Sequence, residues 1–253
     1  KYDERLLNNL DKIDWSEKVK IAQRNWIGKS EGASIKFPLV NVPGQPDQKH
    51  FLEVFTTRPD TLYGVTFMVI SPELGKSWID IGWQAGEDVK AYIKKALANR
   101  GANNHEAEPV KTGAASGIYA INPANQEKIP VWVSDYVLAG YGTGAIMAVP
   151  GHDSRDYDFA KKFNLSVRCV INPIEAFVGV RNPSDISLED AQAKVKKEIQ
   201  SILEGKNAYD GPGSLINSER FSDMPSEKAK WEITKFVNGE KKIQYRLRDW
   251  LIS

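Results

Sequence analysis

A short segment, Thr56-Thr-Arg-Pro-Asp-Thr61, places three hydroxyl groups, a guanidinium and a carboxylate close together. Threonine hydroxyls both donate and accept hydrogen bonds, so such a segment can bind a ribose or a carbonyl oxygen. It follows the alternating pattern of Phe51 to Thr57, which predicts a strand, and its side chains are expected where that strand ends. Taken alone, the same residues also fit an ordinary strand end followed by a capped turn.

A second group, Gly151-His-Asp-Ser-Arg-Asp156, combines a histidine, an arginine and two carboxylates. It follows the apolar strand predicted over 145–150 and begins a helix predicted to end near Phe163. An aspartate in a concave site can hold a substrate ammonium group, and the amides at a helix N-terminus can bind an oxyanion. Helix capping by Asp153, with Arg155 in solvent, is the alternative interpretation.

Other kinds of catalytic centre lack the residues that they need. Cys169 is the only cysteine, which excludes an intrachain disulfide and a thiolate zinc site. The other two histidines, His50 and His105, lie in different predicted elements from His152, so we expect no metal centre. No Gly-x-Ser-x-Gly, Walker A or Gly-x-Gly-x-x-Gly pattern occurs, and the sequence therefore indicates neither a serine hydrolase nor a nucleotide-phosphate site.

The composition is that of an ordinary soluble globular protein, with 41% hydrophobic and 26% charged residues. With a net charge of +1, any contact with nucleic acid is expected to come from a local patch or from parts of a longer protein that this sequence does not include. No apolar run approaches the roughly 20 residues that a membrane helix needs. The length of 253 residues fits one large domain or two small ones.

The elements that must position these residues are a mixture of helices and strands. Helical patterns cover 16–28, 87–100, 188–204 and 225–238, and Pro225 is the first residue of the last helix. Strand patterns cover 32–40, 51–57, 61–71, 117–120, 128–133, 145–150 and 167–171. In the first helix, Ser16 is a candidate N-cap, and an apolar face is formed by Trp15, Val19, Ala22 and Trp26. The segments 41–49, 101–116 and 205–224 are predicted loops. Without a regular strand–helix alternation, the pattern favours an α+β or mixed α/β fold with one compact, largely β core.

Together the motifs resemble the editing domain of bacterial-type leucyl-tRNA synthetases, the insertion called connective polypeptide 1 (CP1). Six matching segments occur in the expected order: 26–32, 55–64, 119–123, 130–138, 140–156 and 245–250. The stretch 173–210 matches least and is expected to be an expanded insertion. The resemblance implies a class I synthetase editing-domain fold with a β-barrel-like core flanked by helices. It also implies one domain over 1–253, excised from a longer synthetase, with linkers at about 1–30 and 240–253.

The resemblance implies post-transfer editing, which is hydrolysis of the ester that joins norvaline, isoleucine or methionine to tRNA(Leu), while Leu-tRNA(Leu) is spared. A synthetic pocket that accepts leucine discriminates poorly against such side chains, since a methylene is worth only about 1–3 kcal/mol. The His-Ile-Gly-His and Lys-Met-Ser-Lys-Ser motifs of aminoacylation are absent from this chain, so it is not expected to charge tRNA. ATP would serve only the synthetic domain, and editing would need no cofactor. The expected partners are the tRNA(Leu) acceptor end and the rest of the synthetase in cis, in a monomer without membrane contact, located in the cytoplasm or an organelle of bacterial ancestry.

The resemblance also implies roles for matching positions. Asp156 would bind the α-ammonium group of the substrate, and the methyl group of Thr61 would exclude the γ-branch of leucine. Thr56 and Thr57 would bind near the ester and the ribose and position the attacking water, without a covalent intermediate or a metal. The remaining assignments are the pocket residues Tyr141, Met147 and Val149, the supporting residues His152, Asp153 and Arg155, and Arg58, which would orient Asp60 or contact the acceptor end.

Two other functions stay open at this point. A module of the same family could dock the acceptor end without catalysis, but the intact threonine segment and Asp156 favour an enzyme. Valyl- and isoleucyl-tRNA synthetases have an editing domain in the same insertion, so this chain could belong to one of them. The residues of Thr56–Tyr63 and of the segment 245–250 favour a leucyl-tRNA synthetase instead.

Overall fold

A computed structural model describes residues 2–42, 44, 50–101, 111–137, 142–173 and 188–247. The helices in these parts are α1 (Asp3–Leu10), α2 (Glu17–Ile27), α3 (Pro72–Asp80), α4 (Glu87–Gly101), α5 (Ser154–Phe163), α6 (Leu188–Leu203) and α7 (Ser226–Phe236). The strands are β1 (Lys29–Val40), β2 (Phe51–Thr56), β3 (Phe67–Ile70), β4 (Ala114–Ile121), β5 (Lys128–Val133), β6 (Ala145–Ala148), β7 (Ile171–Asn172), β8 (Ser214–Leu215) and β9 (Glu240–Tyr245). Two short 3-10 helices cover Pro59–Gly64 and Glu219–Phe221. The mixed α/β class is confirmed.

Seven of the described strands form one sheet in the order β2-β1-β4-β5-β3-β6, with β9 also paired to β1. Every pairing in it is antiparallel except that of β3 with β5. The sheet curls so that the hydroxyl of Thr143, just before β6, donates a hydrogen bond to the carbonyl of Glu53 in β2. Within the described strands, no ladder joins β2 to β6, so the expected barrel-like core is a curved sheet and not a closed barrel.

Strand β3 separates two hydrophobic clusters. Met68 and Ile70 belong to the larger cluster, which includes residues of β1, β2 and α7, while Phe67 and Val69 belong to a smaller one under α5. Because side chains alternate along a strand, one continuous apolar run can fill both faces of a sheet. Burial on both sides makes β3 a fixed base for the segments that precede it and lie beside it.

Helix α2 forms where predicted, but its apolar face is not covered. Trp15, Val19 and Trp26 are all exposed, Trp26 to 64%, and Ile27 is the buried residue of the helix. Ser16 is the N-cap residue, as predicted, although its side chain makes no capping hydrogen bond. Gly28 ends the helix in the left-handed conformation, at φ 62°, as glycine commonly does after a helix.

The predicted strand over 61–71 is wrong in its first half. Pro59 instead begins the first 3-10 helix, because its fixed φ suits a first helical turn, and β3 covers only Phe67–Ile70. The predicted strand over 167–171 is also displaced, since β7 is Ile171–Asn172. The amide of Val170 donates to the ring of His152 and not to a neighbouring strand.

Several elements had no sequence prediction or lie at shifted bounds. Helices α1 and α3 were not predicted, and β4 begins at Ala114, inside a predicted loop. The last helix begins one residue later than predicted, because Pro225 is its N-cap. Residues 240–245 form β9, with Tyr245 opposite Lys29 of β1. Most of the predicted loop 41–49, and residues 174–187 of the insertion, lie outside the described residues. No helix in the described ranges is long and apolar enough to cross a membrane.

Candidate active site

A pocket of about 300 Å³ lies between the end of β2, strand β6 and the beginning of α5. This volume is at the lower end of the range for small-molecule sites. Ten residues proposed from the sequence line it: Thr56, Thr57, Arg58, Thr61, Met147, Val149, His152, Asp153, Arg155 and Asp156. The remaining proposed residue, Tyr141, lies outside the described residues. The two motifs, almost 100 residues apart in sequence, therefore both contribute to one pocket.

The three threonines of the first motif differ in how their hydroxyls are used. Thr56 accepts a hydrogen bond from the amide of Arg58 (3.0 Å), and Thr61 donates to the carbonyl of the same residue (2.8 Å). Thr57 is exposed to the pocket, and none of the described residues bonds to its hydroxyl. Thr56 and Thr61 thus shape the turn, whereas Thr57 has a hydroxyl available for a ligand.

Arg58 holds a buried carboxylate inside the same turn. Its guanidinium donates through Nε (3.1 Å) and Nη2 (3.0 Å) to Oδ2 of Asp60, whose side chain is 0% exposed. Burial raises the pKa of Asp60 above its ordinary value, and the Arg58 guanidinium opposes that shift. Nη1 of Arg58 donates to the carbonyl of Asp210 (2.6 Å), so this side chain also ties the motif to the loop after α6. The geometry shows that Arg58 orients Asp60.

Asp153 is the N-cap of α5. Its Oδ1 accepts from the amides of Arg155 (2.8 Å) and Asp156 (3.2 Å), and its Oδ2 pairs with the Arg155 guanidinium (3.0 Å). Although burial opposes ionisation, these donors hold the pKa of Asp153 below its ordinary value. The capping interpretation therefore describes Asp153 and Arg155, and the two amides are already occupied and not free for an oxyanion.

His152 is buried and uses both ring nitrogens. Nε2 accepts from the amide of Val170 (2.9 Å), so Nδ1 carries the proton and donates to the carbonyl of Tyr209 (2.7 Å). Burial lowers the pKa of His152 to about 4, which keeps the ring neutral at neutral pH. Gly151 beside it has no room for a side chain, because a Cβ atom would lie 2.3 Å from the carbonyl oxygen of Arg168. His152 therefore fixes the turn and is not free to take a proton.

Asp156 is the buried carboxylate of the second motif and is 5% exposed. Its Oδ2 accepts from the amide of Val149 (2.9 Å) and its Oδ1 from the hydroxyl of Tyr136 (3.0 Å). No guanidinium or ammonium group of the described residues bonds to it. Burial raises the pKa of Asp156 to about 7, and the negative charge of Asp153 adds to the shift. A buried carboxylate at a pocket wall, without a cationic partner, is suited to bind a cationic ligand.

Four further lining residues were missed by sequence reasoning: Phe55, Tyr136, Val137 and Ile146. Tyr136 and Val137 follow β5 closely and lie in the motif at 130–138, so their place just after a predicted strand could have identified them as site residues. Phe55 and Ile146 are neighbours of predicted site residues but carry no polar group that would single them out. In the described ranges, no group of three His, Cys, Asp or Glu side chains could hold a metal ion.

The sequence of this chain is similar to those of known proteins. A family model described as "Leucyl-tRNA synthetase, editing domain" matches residues 24–238. The leucine–tRNA ligase of Rubrobacter xylanophilus is 43% identical, over all of this chain and 27% of that protein. Leucine–tRNA ligase 1 of Rhizobium johnstonii is 41% identical over the same shares. The chain thus spans 27% of the length of these curated relatives.

A solved structure is also similar. It is the crystal structure of a ternary complex described as Agrobacterium radiobacter K84 agnB2 LeuRS-tRNA-LeuAMS. The TM-score is 0.56 and the identity 29%, over 98% of this chain and 24% of the other. The likeness therefore extends through both motifs that form the pocket.

Proposed function

This chain belongs to the leucyl-tRNA synthetase editing-domain family, and we propose that it hydrolyses the ester bond of tRNA(Leu) charged with a wrong amino acid. It would do so as part of a leucine–tRNA ligase, with the rest of that protein in cis and the tRNA acceptor end as its partner. The proposed substrates are the esters of norvaline, isoleucine and methionine, and Leu-tRNA(Leu) is spared. The proposed location is the cytoplasm or an organelle of bacterial ancestry.

The observation that carries this proposal is the state of Asp156. An aminoacyl ester has an α-ammonium group one carbon from the bond that breaks. Asp156 offers a carboxylate whose two oxygens each accept one hydrogen bond and keep lone pairs for another. An ammonium group would supply the missing positive charge, and a charge-assisted hydrogen bond would hold the ester in one orientation.

Hydrolysis at this site depends on positioning more than on a strong base. An aminoacyl ester is already activated, so an oriented water and a stabilised oxyanion are sufficient. The free hydroxyl of Thr57 lies in the pocket and can bind the water or the ester oxygen. His152 is unsuited to act as general base because both ring nitrogens are bonded within the protein.

Thr61 is the proposed selectivity element. Its hydroxyl donates to the Arg58 carbonyl, which fixes the side chain and leaves its methyl group as the part that can contact a ligand. The residue is buried in a turn that Arg58 and Asp60 hold together, so it cannot easily move aside. A second δ-carbon on the substrate would need the volume of this methyl group, which supports exclusion of leucine.

The test is deacylation of Ile-tRNA(Leu) and Leu-tRNA(Leu) by the full-length synthetase and by its Asp156→Asn variant. The intact protein should hydrolyse only the isoleucyl ester, and the variant should lose about 10- to 150-fold of this rate, as expected for a hydrogen bond to a charged group, worth about 1.5–3 kcal/mol. Asp158→Asn is the matched control, because Asp158 lies on the same helix and is exposed. An unchanged rate in Asp156→Asn would refute the assigned role.

Docking without catalysis is the second candidate. The unpaired Asp156 and the free Thr57 hydroxyl favour hydrolysis, since docking requires neither. Intact synthetase that binds Ile-tRNA(Leu) without accelerating loss of isoleucine would support docking.

A further inference from the structure

We propose that Tyr136 is a positioning residue for Asp156. The Tyr136 hydroxyl orients the Asp156 carboxylate toward the substrate ammonium and stabilises the negative charge of that carboxylate. The inference rests on the proposed function, because it concerns the same site. Tyr136 was not identified from the sequence, and it lines the pocket beside Asp156.

The two hydrogen bonds of Asp156 come from two different directions. The Tyr136 hydroxyl lies 3.0 Å from Oδ1, and the Val149 amide lies 2.9 Å from Oδ2. An aspartate side chain has two rotatable torsions, and one donor on each oxygen restricts both of them. The Val149 amide is part of the main chain, so Tyr136 is the one of these two donors that a side-chain substitution can remove.

The hydroxyl of Tyr136 is itself held by the packing of its ring. The ring lies 5.5 Å from the ring of Phe159, which is fully buried in the smaller hydrophobic cluster. The ammonium of Lys111 lies 5.1 Å from the centre of the Tyr136 ring, in a cation–π contact. The donor is therefore anchored in the core and on the α5 side of the sheet.

The same hydrogen bond affects the charge of Asp156. Burial raises the pKa of Tyr136 far above its ordinary value, and Asp156 adds to the shift, so the phenol remains a donor throughout the physiological range. Its hydrogen bond opposes the burial that raises the pKa of Asp156 to about 7. Removing the hydroxyl should therefore raise the pKa of Asp156 further.

Other titratable and charged groups around Asp156 are fixed by their own contacts. Asp153 and Arg155, from the beginning of α5, pair with each other. In the first motif, Arg58 pairs with Asp60. The remaining groups among the described residues are the neutral His152 and, beyond the Tyr136 ring, Lys111. A change confined to the Tyr136 hydroxyl leaves all these groups in place.

The test is the pH profile of kcat/KM for Ile-tRNA(Leu) in the full-length Tyr136→Phe synthetase. The acid limb reports Asp156 and should move up by about one pH unit, since a hydrogen bond to a charged group is worth about 1.5–3 kcal/mol. The alkaline limb reports the substrate ammonium and should stay in place. The expected loss is about tenfold at pH 6 and less than about twofold at pH 8.

The control is Tyr157→Phe, which removes a hydroxyl that bonds to the carbonyl of Lys206 outside the pocket. It should leave both limbs in place. A uniform loss at all pH values in Tyr136→Phe would show a merely structural role and overturn the inference, as would an unmoved acid limb. If the intact synthetase does not hydrolyse Ile-tRNA(Leu), the proposed function fails. If it does, and Asp156→Asn is impaired but Tyr136→Phe is not, this inference alone fails.

Discussion

Two buried aspartates belong to the two motifs that form the pocket, and they differ in what neutralises them. Asp60 is paired with the guanidinium of Arg58 through several short contacts. Among the described residues, Asp156 accepts hydrogen bonds only from a phenol hydroxyl and a main-chain amide, neither of which carries a charge. Both carboxylates are almost inaccessible to solvent, so burial alone does not distinguish them.

The difference separates a structural carboxylate from a functional one. Burying a charge is costly unless it is paired, and Asp60 has its partner inside the protein. Asp156 has no such partner in the part of the chain that the structure describes, which leaves its charge available for a ligand at a cost in stability. The comparison therefore predicts opposite responses when each carboxylate is disturbed.

The largest expected loss of stability is at the paired carboxylate. Arg58→Met leaves Asp60 buried without a counter-charge and should lower the free energy of unfolding by about 3 kcal/mol at pH 8. Urea unfolding of this chain measures the change. Arg155→Met is the control, because its pair with Asp153 is largely exposed and should be worth less than about 1 kcal/mol. Equal losses in the two variants would remove the distinction between the pairs.

At the unpaired carboxylate, substitution should stabilise the chain. The folded pKa of Asp156, about 7, is above the ordinary value of 3.8, so the folded state binds more protons and stability falls as pH rises from about 4 to 7. Asp156→Asn removes this cost, and Asn can still accept from Val149 and donate to the Tyr136 oxygen. The expected gain is up to about 4 kcal/mol at pH 8 and approaches zero near pH 4.

Urea unfolding at several pH values checks this prediction, with Asp158→Asn as the exposed control on the same helix. A gain that does not depend on pH would mean that the charge of Asp156 is not its source. A loss of stability at pH 8 would mean that Asp156 is already neutralised within the folded chain.

The smallest expected effect concerns selectivity. Thr61→Ser keeps the hydroxyl bonded to the Arg58 carbonyl and removes only the methyl group, so the full-length synthetase should begin to hydrolyse Leu-tRNA(Leu). The change should be about tenfold or more, corresponding to about 1–3 kcal/mol for one methylene-sized group. Thr61→Val keeps a methyl group at each position and should preserve protection of Leu-tRNA(Leu). If Leu-tRNA(Leu) stays protected in Thr61→Ser and loses protection in Thr61→Val, the steric role is wrong.

Much of this site could be predicted because its chemistry is concentrated in two short motifs. Every described residue proposed from them lines the pocket, and the strand before the first motif and the helix after the second lie close to their predicted bounds. A local pattern is sufficient there, since alternation, a helix cap and a turn proline all act within a few residues.

What could not be predicted depends on long-range contacts. Trp26 has the spacing of a core residue but is exposed, because periodicity shows which residues share a face and not what covers that face. Residues 61–64 were predicted to begin a strand but belong to a 3-10 helix that Arg58 and Asn122 bond to. Tyr136 acquires its role only through its distance to a residue 20 positions later.

The central claim is that Asp156 is left unpaired for the ammonium group of the substrate. It is tested most directly by comparing Ile-tRNA(Leu) with the analogue in which a hydroxyl replaces the α-amino group, in the intact synthetase and in Asp156→Asn. Because both proteins act on the same two esters, differences in intrinsic reactivity cancel. The account predicts that the preference for the ammonium ester falls by at least about 30-fold in the variant, or about 2 kcal/mol of coupling. An equal preference in both proteins would show that Asp156 does not bind the ammonium group.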